Sequence, residues 1–173
     1  MCSCDGPFFK DKKVAVIGGG DAAMKEALYL SKITKEVTII HRRDQLRAQE
    51  ALQKMVKEKP NIKFAFNCEI MEILGEEKVT GVKLKNNQSG EISTETLDGV
   101  FIAVGYQPAT EFLKGKIDLD ETGHIVIHEE TKTSVDGVFA CGDVMDSKYR
   151  QIVTAAGAGA KAALDVEHFL DNL

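Results

Sequence analysis

The chain has 173 residues, 43% hydrophobic and 28% charged, with a formal net charge of −5. That balance suits a soluble globular protein of one domain, or one domain with part of a second, and the acidic surplus argues against a nucleic-acid partner. No apolar run is long enough to span a bilayer, Met1-Cys2-Ser3-Cys4 does not read as a signal peptide, and a cytoplasmic location is expected.

Residues 13–17 (Lys-Val-Ala-Val-Ile) predict a short buried strand that runs directly into Gly18-Gly19-Gly20-Asp21-Ala22-Ala23. Gly18 permits a tight turn, Gly20 lets backbone approach a pyrophosphate, and small Ala23 allows the following helix to pack close. That helix is expected over 21–31, with Ala22, Ala23, Ala27, Leu28 and Leu30 inward. Its N-terminus offers unpaired N–H groups and a dipole that favour an anion. A second parallel strand is predicted at 37–40, about 20 residues on, where the ribose-reading residue of a dinucleotide site belongs. An NAD site places Asp or Glu there. This chain places His41-Arg42-Arg43, with Arg47 a helical turn further, and guanidinium forks suit a 2′-phosphate. The residues read as an NADP(H) site, with a solvated helix start as the competing account of the arginines.

Asp44 is expected to cap a helix through about residue 57, with Leu46, Ala48, Leu52, Met55 and Val56 inward and Pro60 ending it. Residues 62–66 read as a strand. Hairpin rhythm follows: strands at 69–74, 79–85 and 91–97, joined by turns at 75–78 and 86–90, form an antiparallel meander. Residues 100–104, wholly apolar, predict a central parallel strand. Gly105-Tyr106-Gln107-Pro108 breaks the pattern and marks the expected domain boundary. Beyond it, strands are expected at 125–127 and 137–143, then an Ala-rich helix from about 151 to 170. This part is too small to enclose a convincing core by itself. Cys68 and Cys141 sit in apolar runs without zinc-ligand spacing and read as buried, inert thiols.

Several motifs resemble the thioredoxin reductase family of flavin-dependent disulfide reductases, in its low-molecular-weight form. They are Cys4-Asp5-Gly6, Gly18-Gly19-Gly20-Asp21-Ala22-Ala23, His41-Arg42-Arg43-Asp44 with Arg47-Ala48, and Ala103-Val104-Gly105-Tyr106 with Pro108. Gly142-Asp143-Val144 and Tyr149-Arg150-Gln151 with Ala155-Ala156-Gly157 complete the set. The resemblance implies an α/β fold. Residues 1–108 would form a Rossmann-like NADPH-binding domain, and 109–173 the C-terminal part of an FAD-binding domain whose N-terminal half is absent. It implies NADPH contacts from Gly18, Gly20, Asp21, Ala22, His41, Arg42, Arg43, Arg47, Gly105 and Tyr106. Gly142, Asp143, Arg150 and Gln151 would contact FAD, although Gly142-Asp143 alone also reads as a plain turn.

In the family so resembled, hydride passes from NADPH through FAD to a cysteine pair and then to thioredoxin or a similar thiol protein, within a homodimer. Cys4 and Asp5 would be the thiol nearest the flavin and its proton donor; Asp5 alone also reads as an exposed turn residue. The family's pair is Cys-x-x-Cys, whereas this chain has Met1 at the partner position and Cys2-Ser3-Cys4, which could close only a strained ring. Three accounts of that terminus stay open: an excised domain, a natural short form, or a working Cys-x-Cys. With one glycine-rich turn, the isolated chain is expected to be inactive. The alternative to the enzyme reading is a non-catalytic NADPH-binding, redox-sensing module.

Overall fold

The computed structural model describes residues 5–173. They form two compact units, the first ending at Gly105 and the second running from Tyr106 to Leu173.

The first unit is built on four parallel strands, β1 (Lys13–Ile17), β2 (Glu36–His41), β3 (Ile62–Phe66) and β7 (Gly99–Ile102), in the order β3-β2-β1-β7. Val-Ala-Val-Ile and Val-Thr-Ile-Ile supply the β-branched runs, and Val14 pairs with Val37 and Val16 with Ile39 in register. Alternation then sorts side chains to two faces. Val14, Val16, Val37 and Ile39 pack with Ala23, Met24, Ala27 and Leu30 of α1 (Asp21–Leu30) and with Val56 of α2 (Glu50–Lys57). Ala15 and Ile40 pack the other way, against Val82, Leu84 and Leu97 of the antiparallel meander. Its strands are β4 (Cys68–Leu74), β5 (Gly81–Asn86) and β6 (Ile92–Thr96). Thr38, on the same face, stays satisfied because its hydroxyl donates to Glu95 at 2.7 Å. The α/β class, parallel sheet and meander agree with expectation.

Four details differ. The helix expected from Asp44 begins only at Glu50. The backbone N–H groups of Arg47 and Ala48 donate instead to the Gly19 carbonyl at 2.7 and 3.1 Å, and that of Gln49 donates to Asp21 Oδ1 at 2.8 Å. These partners lie outside any local helix, so tertiary bonds overrule the helical tendency of 44–49. Met55 is half exposed rather than inward. On α1, Met24 is buried and Ala22 exposed. Finally, β7 pairs only with β1 among the described strands, so it is an edge strand, and Ile102 is 67% exposed. Its apolar composition cannot distinguish a strand covered on both sides from one at a margin.

The second unit is mostly loop. Neither expected strand forms a ladder; 125–127 and 137–143 contribute single bridges, Leu119 with Ile125 and Lys132 with Phe139. The backbone bonds beside the second bridge go no further than its immediate neighbours: Ala140 N–H donates to the Thr131 carbonyl at 2.8 Å, and Thr133 N–H to the Val138 carbonyl at 3.0 Å. Cys141 is exposed, not buried, because extended backbone puts it on the side opposite buried Ala140. The helix α3 (Ile152–Asp171) has no buried residue. No helix among the described residues is long and apolar enough to cross a membrane.

Candidate functional site

A cleft of about 830 Å³ opens at the carboxyl ends of β1, β2 and β7, with Ile17, Ile40 and Ile102 in its walls. Crevices there are the usual ligand seats of open parallel sheets. Its floor is the glycine turn. Gly18 adopts φ 147°, a conformation L side chains rarely take, and a Cβ on it would lie 2.4 Å from the Ala103 carbonyl oxygen and 2.9 Å from the Ala23 side chain. Gly20 is the opposite case. Its φ of −99° suits any residue, it caps α1, and a Cβ on it would meet nothing within 4 Å. Gly18 therefore serves the turn, while Gly20 leaves open space in front of the helix N-terminus.

Gly19 joins this turn to the basic loop. Its carbonyl accepts both Arg47 and Ala48, and its Cα abuts His41, whose ring would lie 2.4 Å from a Cβ there. His41 is 5% exposed and bonds the Gln45 carbonyl through Nε2 at 3.1 Å. A carbonyl can only accept, so Nε2 carries the proton. Burial, followed by the neighbouring guanidinium groups of Arg47, Arg43 and Arg42, holds the His41 pKa below 6.5 despite the opposing bond to Gln45. His41 is thus a neutral spacer inside a cationic cluster.

Gly18, Gly20, Asp21, Ala22, His41, Arg42, Arg47 and Gly105 line the cleft. Arg43 does not; its carbonyl accepts the Asn67 N–H at 3.2 Å. Among the described residues no ion pair engages Arg42, Arg43 or Arg47. Sequence reasoning missed Cys68, Glu69 and Ile70, which reach the cleft from β4. The Cys68 thiol donates to the Phe66 carbonyl at 3.2 Å, and burial pushes its pKa up, so it stays protonated.

Tyr106 belongs to the second unit, where the Arg150 guanidinium lies 4.9 Å from its ring centre. Arg150 has φ 48° and donates to the Ser147 carbonyl at 3.0 Å. The organiser of this loop is Asp146, another residue the sequence reading passed over. Its carboxylate accepts the N–H groups of Tyr149 (2.8 Å), Lys148 (2.9 Å) and Arg150 (3.1 Å), and those bonds hold its pKa below the usual carboxylate range. An Asp two residues before a Lys-Tyr pair is the detectable signal, since Asp bonds the backbone just ahead of it. Gln151 then caps α3, its N–H donating to Thr154 Oγ1 at 3.2 Å. Gly142 opens a one-turn 3-10 segment in which Asp143 is exposed. Asp5 is exposed at the head of another, over Gly6–Phe9. Cys2 and Cys4 lie outside the described residues.

Residues 3–159 match the pyridine nucleotide-disulphide oxidoreductase family. The chain is 50% identical over 172 residues to a thioredoxin reductase of Streptomyces coelicolor, covering 99% of this chain and 53% of that relative. It is 51% identical over 170 residues to a thioredoxin reductase of Chlamydia pneumoniae, covering 96% and 55%. The crystal structure of thioredoxin reductase from Streptococcus pyogenes MGAS5005 superposes with a TM-score of 0.91 at 41% identity, over all of this chain and 57% of that one. The chain spans about half the length of the relatives it matches.

Proposed function

The chain belongs to the pyridine nucleotide-disulphide oxidoreductase family, and from that premise we propose that its first unit seats NADPH on behalf of a thioredoxin-reductase-like flavoprotein. One observation carries the reading: Arg42 and Arg47, neither of them in an ion pair among the described residues, line the same cleft as the open face of Gly20. A pyrophosphate fits in front of α1, where a side chain on residue 20 would otherwise stand. The guanidinium groups fit a 2′-phosphate and have no comparable partner in NADH.

What the cofactor pair of such a protein supplies when bound is a hydride, delivered for disulfide reduction. This chain's residues would do the rest. The α1 N-terminus holds the pyrophosphate, Arg42 and Arg47 hold the 2′-phosphate with Arg43 adding to the field, and neutral His41 spaces the loop. In the second unit, Asp143 would bond a ribityl hydroxyl of FAD, with Arg150 and Gln151 beside the ring; in the first unit, Asp5 would be the proton donor to the Cys4 thiolate. The thiol acceptor would be a protein of the thioredoxin kind. With a single glycine-rich dinucleotide turn in its 173 residues, the chain by itself is expected to bind NADPH without stoichiometric FAD.

Calorimetric titration of both nucleotides tests the reading. Charge-assisted contacts of about 1.5–3 kcal/mol correspond to a preference of roughly 10- to 100-fold for NADPH over NADH. Equal dissociation constants would overturn it.

A further inference from the structure

We infer that Asp21 is a positioning residue for Arg47, setting the preference for NADPH through the loop rather than by touching the nucleotide; this rests on the NADPH reading above. Asp21 is the first residue of α1 and lines the cleft. A carboxylate aimed at a pyrophosphate would repel it. Here Oδ1 is instead engaged 28 residues away along the chain, accepting the Gln49 N–H at 2.8 Å. Gln49 lies two residues beyond Arg47 and is the residue from which α2 departs.

The stretch between β2 and α2 has no regular structure of its own to fix it. Around Arg47 it is held by the Gly19 carbonyl, which accepts the Arg47 and Ala48 N–H groups, by the Gln53 side chain, which donates to the Ala48 carbonyl at 2.7 Å, and by Asp21, which accepts the Gln49 N–H; further back, Gln45, Arg43 and Arg42 are bonded to His41, Asn67 and Asn87. The two Gly19 bonds bracket the Arg47 Cα, the Asp21 bond follows two residues on, and Gly19 and Asp21 both belong to the glycine turn and the start of α1. The pyrophosphate seat and the arginine loop are thereby one clip, and Asp21 closes its far end. Removing that end frees Gln49 to fray toward solvent and widens the range of positions open to the Arg47 guanidinium. NADH, which asks nothing of Arg47, is indifferent to the change.

The sign of the effect separates this role from simple electrostatics. A carboxylate that only repels phosphate would, on removal, tighten NADPH and NADH together. A carboxylate that positions Arg47 would, on removal, lower the ratio of the NADH to the NADPH dissociation constant. For Asp21→Ala that ratio is expected to fall about 5- to 10-fold. Asp21→Asn, which keeps an acceptor oxygen, should restore it to within about 2-fold of the unmodified chain. In an Arg47→Ala background, Asp21→Ala should change the ratio no further, because the residue it positions is gone.

The measurements are isothermal titrations of both nucleotides with the full 173-residue chain and its variants, and thermal melts confirm folding. If Asp21→Ala melts below the assay temperature, Asp21→Asn with Arg47→Ala still gives the comparison, since a purely repulsive role tightens both nucleotides in Asn as well. An unmodified chain without NADPH preference would overturn the NADPH reading itself. A clear preference that Asp21→Ala leaves unchanged, or a common tightening of both nucleotides, would overturn the positioning role alone.

Discussion

His41 lies so close to Gly19 that a Cβ on the glycine would sit 2.4 Å from its ring. The ring cannot retreat freely, being 5% exposed and bonded to the Gln45 carbonyl. Gly19→Ala is therefore expected to destabilise the first unit by roughly 1–3 kcal/mol through overpacking. Gly20→Ala, one position on, should cost under about 1 kcal/mol, the small penalty of Ala at a helix N-cap. Chemical denaturation of the two variants side by side checks this; equal losses would mean the His41 contact is not limiting.

Gly20→Val should separate folding from binding. Its extended backbone accepts a branched residue, and the added atoms meet no protein atom within 4 Å of the Cβ. The space they take is the space proposed for the pyrophosphate. A melting curve close to the unmodified chain, with NADPH affinity lost, is the expected pair of results. Retained affinity in the folded variant would place the nucleotide elsewhere.

What the sequence disclosed follows from how local each signal is. The bounds of β1 and β3 were legible because period-two alternation of large apolar residues, Val14 and Val16 in the one and Ile62, Phe64 and Phe66 in the other, is written in the strand itself. The glycine turn and its basic partners were legible for a similar reason, each being a short motif at a fixed spacing. Residues 44–49 misled because their backbone partners, Gly19 and Asp21, lie a whole strand and helix earlier. Cys68 and Glu69 went unnoticed in the cleft wall because the meander folds them there from a separate sheet. In the second unit, apolar stretches at 125–127 and 137–143 promised strands, but a strand exists only where a neighbour accepts its ladder, and each found a single bridge.

The basic cluster should act unequally. Arg42→Ala and Arg47→Ala remove guanidinium groups that line the cleft, and each is expected to weaken NADPH about 10-fold while leaving NADH within about 2-fold. Arg43→Ala should cost less, since Arg43 stands outside the lining and contributes only at longer range. Titration at low and high ionic strength would separate the two kinds, because the Arg43 contribution should fade with salt. An effect of Arg43→Ala equal to the others would contradict this geometry.

The acid side of the stability profile should carry two steps. The His41 pKa is held below 6.5, chiefly by burial, so the folded state resists a proton that the unfolded chain accepts. Stability is then fullest above 6.5 and declines as pH falls from there toward the folded-state value. Glu36 has its pKa lowered from 4.5, first by its bond from Lys63 at 2.6 Å. Its contribution is present above 4.5 and disappears as pH falls through the lower folded value. Melting temperatures recorded between about pH 7.5 and 5.5 should fall less steeply in His41→Gln than in the unmodified chain. Identical slopes would show that His41 does not titrate with unfolding.

Within the second unit, α3 should be held unevenly along its length. None of its residues is buried, whereas Val14, Ala15 and Val16 of β1 are wholly inaccessible. Its firm attachments lie toward the C-terminal end. Asp165 Oδ2 accepts both the N–H and the hydroxyl of fully buried Thr131, and Phe169 packs edge-on against Phe139 with ring centres 5.8 Å apart. Amides near Asp165 and Phe169 should therefore exchange with deuterium more slowly than those at 153–158, and both more slowly than a free peptide but faster than β1. Asp165→Ala would leave the buried Thr131 donors without their acceptor, a loss of about 1–3 kcal/mol. That variant should erase the gradient along α3, bringing its C-terminal amides up to the exchange rate of its first turns. A gradient that survives Asp165→Ala would mean that the Phe139–Phe169 contact, and not the carboxylate, anchors the helix.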